Sequence, residues 1–266
     1  MLTLIEGIGR FVLAIPTWIG RVSFLLYYSC RDLTRLFLGR YHWTLFWEMR
    51  SLILKQVWFT GVQVLPLVSL IGMTFSGSLI ALGYLSLQMI GAEEFFGSFL
   101  RFGILMELGP LLIALMVIAR SGTAMTADIA SQTIRGETDV LLMHGMSVHL
   151  LIIVPRLIAA CLSMLLLSVF FMLMIYGGLF FWAPIFSVNL EEIRSNVLDP
   201  LQVGDIQILV LKSLVFGLMM GVVACYKGLN VKRDIRDLPR ASSQSVVSSI
   251  IIIFLLDILI SLMVLL

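Results

Sequence analysis

Long, uninterrupted runs of apolar residues dominate the chain. Five of them match or approach the roughly 20 residues that a helix needs to cross the hydrocarbon core of a bilayer. They lie at 56–92, 102–119, 157–190, 206–226 and 241–266. Three of these runs each contain one charged residue: Glu107, Lys212 or Asp257. The pattern predicts an all-α polytopic membrane protein with five transmembrane helices.

Two of the runs are longer than one crossing requires. The run 56–92 contains Pro66 and several small residues, so we expect a helix that is strongly tilted or broken. The run 157–190 passes Gly177-Gly178 and Pro184, so we expect its last third to be a bent or re-entrant segment on the outer side.

Residues 1–55 follow a different pattern. Arg10, Arg21, Arg31 and Arg35 fall within one stripe of about 80° when the residues are placed at 100° intervals around a helix. A narrow polar stripe on an apolar surface indicates an amphipathic helix in the membrane interface. A transmembrane helix here would place Arg21 near the membrane centre, at a high insertion cost. We therefore divide the chain into an N-terminal interfacial region, 1–55, and a five-span domain, 56–266.

The composition agrees with a bilayer location. Hydrophobic residues make up 60% of the chain and charged residues 13%, whereas soluble domains are about 45 to 50% apolar. The three cysteines form no CxxC motif, so we interpret them as packing thiols and expect no disulfide.

The basic residues predict the orientation of the chain. Of the 18 Lys and Arg residues, 15 lie in three segments: 1–55, 120–156 and 227–240. Because positive residues concentrate on the cytoplasmic side, these segments and the N-terminus are predicted to face the cytoplasm.

The segment 120–156 is too polar to span the membrane. Ser121-Gly122-Thr123 can start a helix and Gly145 can stop one, so we expect a short surface helix between them. Such an element between two spans suits docking of a cytoplasmic partner, and a solvated loop is the alternative.

Motifs of enzymatic chemistry are missing from the sequence. No stretch reads GxxxxGK[ST], HExxH or GxSxG, and no His, Cys or Asp cluster has the spacing of metal ligands. We therefore predict a non-catalytic chain with no metal and no cofactor. Any energy input would come from another chain or from an ion gradient.

Glu107 and Lys212 are the charges that most need an explanation. Both enter their spans from the outer side, so they lie at similar depth and can pair. The pair either fixes the helix register or contacts a substrate headgroup, since intramembrane charges serve both purposes. Asp257 can equally bond a neighbouring Ser or Lys.

Several blocks occur in a fixed order along the chain: Glu107-Leu108-Gly109-Pro110-Leu111-Leu112, Ala119-Arg120-Ser121-Gly122 with Ala127-Asp128, Val154-Pro155-Arg156-Leu157, Leu211-Lys212-Ser213 with Phe216-Gly217, Cys225-Tyr226-x-Gly228-Leu229 and Arg240-Ala241-Ser242-Ser243. In this order and spacing they resemble the MlaE permease family, the membrane subunits of ABC-type lipid transporters that work with MCE-domain proteins. The resemblance covers nearly everything from residue 60 onward.

The resemblance implies a homodimeric, multi-pass permease in the bacterial inner membrane, with a cytoplasmic N-terminus. It further implies cytoplasmic ABC ATPase subunits that bind the ATP, and a periplasmic MCE-domain partner. The substrate would be phospholipid moving between the inner and outer membranes, which bears on the lipid asymmetry of the outer membrane. Nucleic acid is no part of this picture.

The resemblance also assigns residues. Glu107, Lys212, Leu79 and Leu87 would line the substrate path in a cavity at the dimer interface. The segment 120–156 would be the coupling segment, with these residues at the ATPase: Asp128, Gln132, Arg135, Glu137 and Asp139.

The chain departs from the family pattern in the coupling segment and in the residue before the first motif's Glu. The usual Ala-Glu of the coupling segment is Ala127-Asp128, so the coupling contacts must differ in detail. Some members carry Arg before the first motif's Glu, whereas this chain has Met106, which leaves Lys212 as the only basic group in the predicted cavity.

Two other functions stay open at this point. An ion-gradient-driven carrier would use Glu107 or Asp257 as a proton site, although the chain shows no inverted repeat of its spans. A scaffold subunit would have no lipid path of its own.

Overall fold

The computed structural model describes residues 43–189, 191, 194–195, 202–232 and 234–265. The interfacial helix predicted for 1–55 therefore lies largely outside the described residues. Its last part belongs to the α-helix Trp43–Thr60, which is continuous. The boundary that we predicted between residues 55 and 56 thus falls inside a helix.

The described part of the chain is built from helices and the turns between them, as expected for an all-α protein. Five helices are long and apolar enough to cross a membrane, which confirms the prediction of a five-span protein. We number them as spans 1 to 5: Arg50–Met89, Phe95–Ile134, His149–Trp182, Gly204–Leu229 and Ile235–Val264. One short helix, Glu137–Met143, connects spans 2 and 3.

The spans change helical type along their length. Span 1 begins within the α-helix Trp43–Thr60. It continues through the 3-10 turn Val62–Val64, the α-helix Leu65–Ser78, the π-helix Leu79–Tyr84 and the α-helix Leu85–Met89. Span 2 comprises the α-helix Phe95–Phe99, the π-helix Leu100–Leu108, the α-helix Gly109–Val117, the π-helix Ile118–Gly122 and the α-helix Thr123–Ile134. Span 3 comprises the π-helix His149–Ile153 and the α-helix Val154–Trp182. Span 4 lies within the α-helix Val203–Leu229. Span 5 consists of the 3-10 turn Ile235–Asp237 and nearly all of the α-helix Leu238–Leu265.

Prolines account for part of this irregularity. Pro66, Pro110, Pro155 and Pro239 each occupy the second position of a regular α-helix that follows a 3-10 or π turn. Proline has no N–H, and its ring clashes with the carbonyl four residues earlier, so it is tolerated in the first helical turn. The irregular turn before each proline provides that first-turn position without ending the span.

Span 2 is longer than predicted. We expected it to end at residue 119 and a new helix to start at Ser121-Gly122-Thr123, but span 2 continues to Ile134. The helix Thr123–Ile134 in this stretch packs against spans 4 and 5. Thr126, for example, is buried, and its Oγ1 lies 2.8 Å from the Gly122 carbonyl oxygen and 2.9 Å from Ser245 Oγ. Because such groups find partners inside the protein, a polar composition did not end the helix.

The bend predicted within 157–190 is present, but it begins later than the glycine pair. Span 3 remains helical through Gly177-Gly178 to Trp182. The chain then turns around Pro184, where Ser187 adopts a left-handed backbone with φ of 57°.

Spans 2, 3 and 4 are the most buried of the five. Span 3 packs against spans 1, 2 and 4, and span 4 also contacts spans 2 and 5. Phe171 and Phe216 are fully buried in the apolar core between these spans. Because lipid tails are as apolar as these side chains, association of the spans depends on close packing and polar contacts more than on the hydrophobic effect.

Spans 3 and 4 approach each other closely at Gly217. A Cβ atom there would lie 2.8 Å from the Ala160 carbonyl oxygen, 2.8 Å from Cys161 Cα and 3.0 Å from Met164 Cβ. Two of these atoms are backbone atoms, which cannot move aside as a flexible side chain can. Only glycine therefore lets the two spans approach this closely.

We expect Gly217→Ala to destabilise the protein by about 1–3 kcal/mol, the usual cost of overpacking a well-packed core. Gly177→Ala is the matched control, because Gly177 lies in span 3 and a Cβ there meets no atom within 4 Å. Thermal unfolding of both variants in the same detergent measures the difference. Equal midpoints for Gly217→Ala and wild type would contradict the close contact.

Candidate functional site

Lys212 of span 4 is the centre of a polar cluster inside the bundle. Its Nζ lies 2.9 Å from Glu107 Oε2 of span 2, 2.7 Å from Asp257 Oδ1 of span 5 and 2.8 Å from Ser261 Oγ of span 5. The Ser261 hydroxyl donates in turn to Glu107 Oε1 at 2.7 Å. Four side chains from three spans thus form one connected group, which we call the Lys212 cluster.

The Lys212 cluster contains more negative than positive charge. An ammonium group has three N–H donors, and Glu107, Asp257 and Ser261 accept all three from Lys212. With one ammonium and two carboxylates, the formal net charge of the cluster is −1. Because an unpaired charge in the apolar interior is costly, these contacts explain how Lys212 is held there.

The members of the cluster differ sharply in exposure. The Lys212 side chain is 0% exposed and that of Asp257 is 8% exposed, whereas the Glu107 side chain is 41% exposed. Glu107 is therefore the charged group that the cluster presents outside the protein core.

Gly109 and Pro110 of the same motif shape the backbone around Glu107. Glu107 lies in the π-helix Leu100–Leu108, and the Gly109 N–H donates to the Ile104 carbonyl. A Cβ at Gly109 would lie 2.8 Å from that carbonyl oxygen and 3.3 Å from Met172 Sδ. Gly109 and Pro110 are the first two residues of the next α-helix. π-Helical segments often occur at functional sites, and this one sets the direction of Glu107.

A second ion pair joins the same two spans. Arg101 Nε lies 2.7 Å from Asp205 Oδ2, and Arg101 Nη2 lies 3.0 Å from Asp205 Oδ1 and 2.9 Å from Gln202 Oε1. This bidentate geometry is the strong form of an Arg–carboxylate contact. Asp205 is buried, and it also accepts the Gln202 backbone N–H as part of a capping box.

The two ion pairs form a ladder between spans 2 and 4. Arg101 precedes Glu107 by six residues and Asp205 precedes Lys212 by seven, which is about two helical turns or roughly 10 Å. The charges are exchanged between the rungs, since the cation lies on span 2 in one and on span 4 in the other. This alternation fixes the register of the spans, because a sliding helix would bring like charges together.

The structure brings together part of the predicted substrate path. The structure pairs Glu107 with Lys212, which their similar predicted depth allowed. Asp257 also pairs with Lys212, and a Lys is one of the two kinds of partner considered for it from the sequence. Sequence reasoning missed Ser261, although it lies four residues after Asp257 and hence on the same helical face. It also missed the pairing of Asp205 with Arg101, which lie 104 residues apart in the sequence.

Leu79 and Leu87 belong to the apolar part of span 1. Leu79 is buried in the main core cluster, and Leu87 is half-buried against it. Their assignment to a substrate path stays a prediction.

The predicted coupling residues fall into two groups. Asp128 and Gln132 lie on the last part of span 2, where Asp128 forms a salt bridge with the buried Arg156 of span 3 and accepts from Gln132 Nε2 at 3.4 Å. Arg135 and Glu137 flank the turn at Gly136 and pair with each other at 3.0 Å. Asp139 lies in the first turn of the short helix. Asp128 thus connects two spans besides any contact with a partner.

The short helix Glu137–Met143 exposes apolar side chains that the sequence analysis did not select. Val140 is 53%, Leu142 62% and Met143 85% exposed. Because Lys, Glu and Asp are the usual residues of a solvated surface, an apolar surface on this connection is typical of an interaction site.

Comparison with known proteins places this geometry in a family. The family described as "Permease MlaE" matches residues 53–263, which include every member of the Lys212 cluster. The chain belongs to the MlaE permease family. This chain is 26% identical over 258 residues to the "intermembrane phospholipid transport system permease protein MlaE" of Haemophilus influenzae, covering 95% of this chain and 94% of the relative.

Two other relatives of this chain carry names of their own. A probable ABC transporter permease protein of Rickettsia typhi is 28% identical over 213 residues, covering 79% of this chain and 82% of that protein. The chloroplastic protein TRIGALACTOSYLDIACYLGLYCEROL 1 of Arabidopsis thaliana is 25% identical over 229 residues, covering 85% of this chain and 63% of that protein. The chain is therefore an ABC-type permease.

We expect Lys212→Met to cost about 3–5 kcal/mol of stability, because it leaves two carboxylates without their shared cation. Glu107→Gln should cost less, since Glu107 is partly exposed and Lys212 keeps Asp257 and Ser261 as partners. Thermal unfolding of the purified variants in detergent compares the two. A smaller loss for Lys212→Met than for Glu107→Gln would show that Lys212 is not the centre of the cluster.

Proposed function

We propose that this chain is the membrane subunit of an ABC transporter that moves phospholipids between two membranes. It would supply the lipid path, while ATP is bound and hydrolysed by a separate chain. The observation that carries the proposal is the exposed Glu107 carboxylate of the Lys212 cluster, a polar group held among apolar spans. Membrane proteins retain such groups mainly where they serve a substrate or a structural pair.

The name of the Haemophilus relative supports phospholipid as the substrate. The match covers nearly the full length of both chains, so the two proteins share the whole set of spans and not one fragment. A phospholipid needs both an apolar wall for its acyl chains and a polar contact for its headgroup. We assign the polar contact to Glu107 and the apolar wall to residues that include Leu79 and Leu87.

A second copy of the chain would complete the chamber. In one protomer the Glu107 side chain is 41% exposed, so a further wall is needed to separate it from the surrounding lipid. Span 5 offers a large apolar surface for such a contact. Its exposed side chains include Val247, Ile251, Phe254, Leu255, Ile258, Leu259 and Leu262. We therefore propose a homodimer with the lipid chamber between the copies.

The distribution of charge sets the proposed orientation and partners. The N-terminus and the connections rich in Lys and Arg would face the cytoplasm of a bacterial inner membrane. An ABC ATPase would dock there on the coupling segment, and a periplasmic MCE-domain protein would bind the opposite side. Among the predicted coupling residues, Arg135, Glu137 and Asp139 border the exposed apolar surface of the short helix. That surface would enter a groove of the ATPase.

Affinity purification of the tagged chain from its own membranes tests the proposal. We expect a chain with a GxxxxGK[ST] motif and a phospholipid to accompany it, both identified by mass spectrometry. A carrier driven by an ion gradient would be purified without the ATPase. A scaffold subunit would be purified without bound lipid.

We expect Glu107→Ala to lower the amount of retained phospholipid about fivefold while the assembly stays intact. This corresponds to about 1 kcal/mol, a typical value for one partly exposed charged contact. Glu94→Ala is the control, because Glu94 is an exposed carboxylate in the turn between spans 1 and 2. Lipid content is measured by mass spectrometry, and assembly by size-exclusion chromatography. Loss of the dimer in Glu107→Ala would instead assign the pair to structure alone.

We expect Met143→Glu to reduce co-purification of the ATPase at least about tenfold, because burying an unpaired carboxylate in an apolar groove costs more than 1.4 kcal/mol. Met89→Glu is the matched control. Met89 is 87% exposed and Met143 85%, but they lie on opposite sides of the membrane by our assignment. Immunoblotting of the purified complexes gives the readout. Undiminished ATPase in Met143→Glu would exclude the short helix from docking.

A further inference from the structure

We propose that the Lys212 cluster selects phospholipids whose headgroup carries an ammonium group over phospholipids with an anionic headgroup. This inference rests on the proposed function, since it assumes that a phospholipid reaches the cluster. The sequence marked Lys212 as the only basic group of the predicted cavity, whereas the contacts in the structure point to Glu107 as the group that meets the headgroup.

The contacts of Lys212 exclude it as a phosphate ligand in this conformation. A lysine ammonium has three N–H donors and no acceptor. All three donors are engaged at distances of 2.7 to 2.9 Å, with Glu107, Asp257 and Ser261 as the acceptors. The side chain is also fully buried. A phosphate would have to displace a carboxylate from Lys212 before it could bind there.

Glu107 offers the opposite chemistry. An ionised carboxylate is an acceptor only, with about four lone-pair positions on its two oxygens. Oε2 accepts from Lys212 and Oε1 accepts from Ser261, so each oxygen keeps further acceptor capacity. Because the side chain is 41% exposed, that capacity is open to a ligand. The matching group on a ligand is a positively charged donor.

The surrounding charges strengthen this preference. Asp257 adds a second carboxylate, and the described hydrogen bonds and ion pairs of Glu107 and Asp257 bring in no cation besides Lys212. Met106 occupies the position before Glu107. Arg101 lies about two turns away and is held by Asp205. A site with a formal charge of −1 in an apolar environment repels an anionic headgroup and attracts an ammonium group.

Hydrogen bonding separates two kinds of ammonium headgroup. Ethanolamine carries N–H donors and can form a charge-assisted hydrogen bond with Glu107. Choline carries the same charge without a donor, so it gains only the electrostatic attraction. We therefore expect phosphatidylethanolamine to bind best, phosphatidylcholine less well and phosphatidylglycerol least.

The test compares the lipid that co-purifies with the full-length chain with the lipid of the membrane that it came from. The host membrane contains both phosphatidylethanolamine and phosphatidylglycerol. We expect the ratio of these two lipids to be about fivefold higher in the purified protein than in the membrane, in the range of one charged hydrogen bond at a partly exposed carboxylate. Glu107→Gln should return the ratio close to that of the membrane. Glu94→Gln removes an exposed carboxylate outside the cluster and should leave the enrichment unchanged.

Each outcome distinguishes the inference from the proposed function. Phospholipid at the membrane ratio, or enriched in phosphatidylglycerol, would overturn the selectivity and leave lipid transport standing. Absence of any bound phospholipid would overturn the proposed function itself. If Glu107→Gln cannot be purified, wild-type protein in nanodiscs decides the question. Displacement of bound fluorescent phosphatidylethanolamine by phosphatidylglycerol as readily as by unlabelled phosphatidylethanolamine would overturn the inference.

Discussion

The fold of this permease depends on a single ammonium group buried among the spans. Lys212 has two carboxylates and one hydroxyl as acceptors, which come from spans 2 and 5. In a bilayer there is no water to replace a lost partner, so the three spans must remain in contact for the charge to be tolerated. The contacts of Lys212 therefore constrain how spans 2, 4 and 5 pack against one another.

Within the Lys212 cluster, Lys212 suits a structural role and Glu107 suits the proposed binding role. Lys212 is enclosed and holds the spans together, whereas Glu107 is bound by it on one side and exposed on the other. The ion pair of Arg101 with Asp205, two helical turns away, gives the spans a second rung. In the proposed transporter, a ligand at Glu107 would meet a carboxylate whose position is already set, so binding would require little reorganisation of the site.

Irregular backbone places these side chains. The π-helix that carries Glu107 ends at Gly109 and Pro110, and similar irregular turns precede the prolines of spans 1, 3 and 5. Each widened or tightened turn rotates the residues that follow relative to those before. A uniform α-helix would point the charged side chain of Glu107 in another direction, so local backbone geometry is part of the site. At the other end of span 2, Asp128 ties the coupling segment to Arg156 of span 3, so a partner that moved this segment would also move the spans.

The sequence by itself determined the class of the protein: the apolar runs set five spans, and the lone charges in three of them indicated Glu107, Lys212 and Asp257. It also placed Glu107 and Lys212 at a similar depth, where they could pair, because both residues enter their spans from the same side. Tertiary structure decided that span 2 runs to Ile134, since its polar residues find partners on other helices that a local pattern cannot reveal. Tertiary structure also decided that Ser261 and Asp257 complete the contacts of Lys212 and leave Glu107 exposed. The sequence gives the positions of the charged residues along the chain. Only the packing of the spans determines which of these residues face each other and which stay exposed.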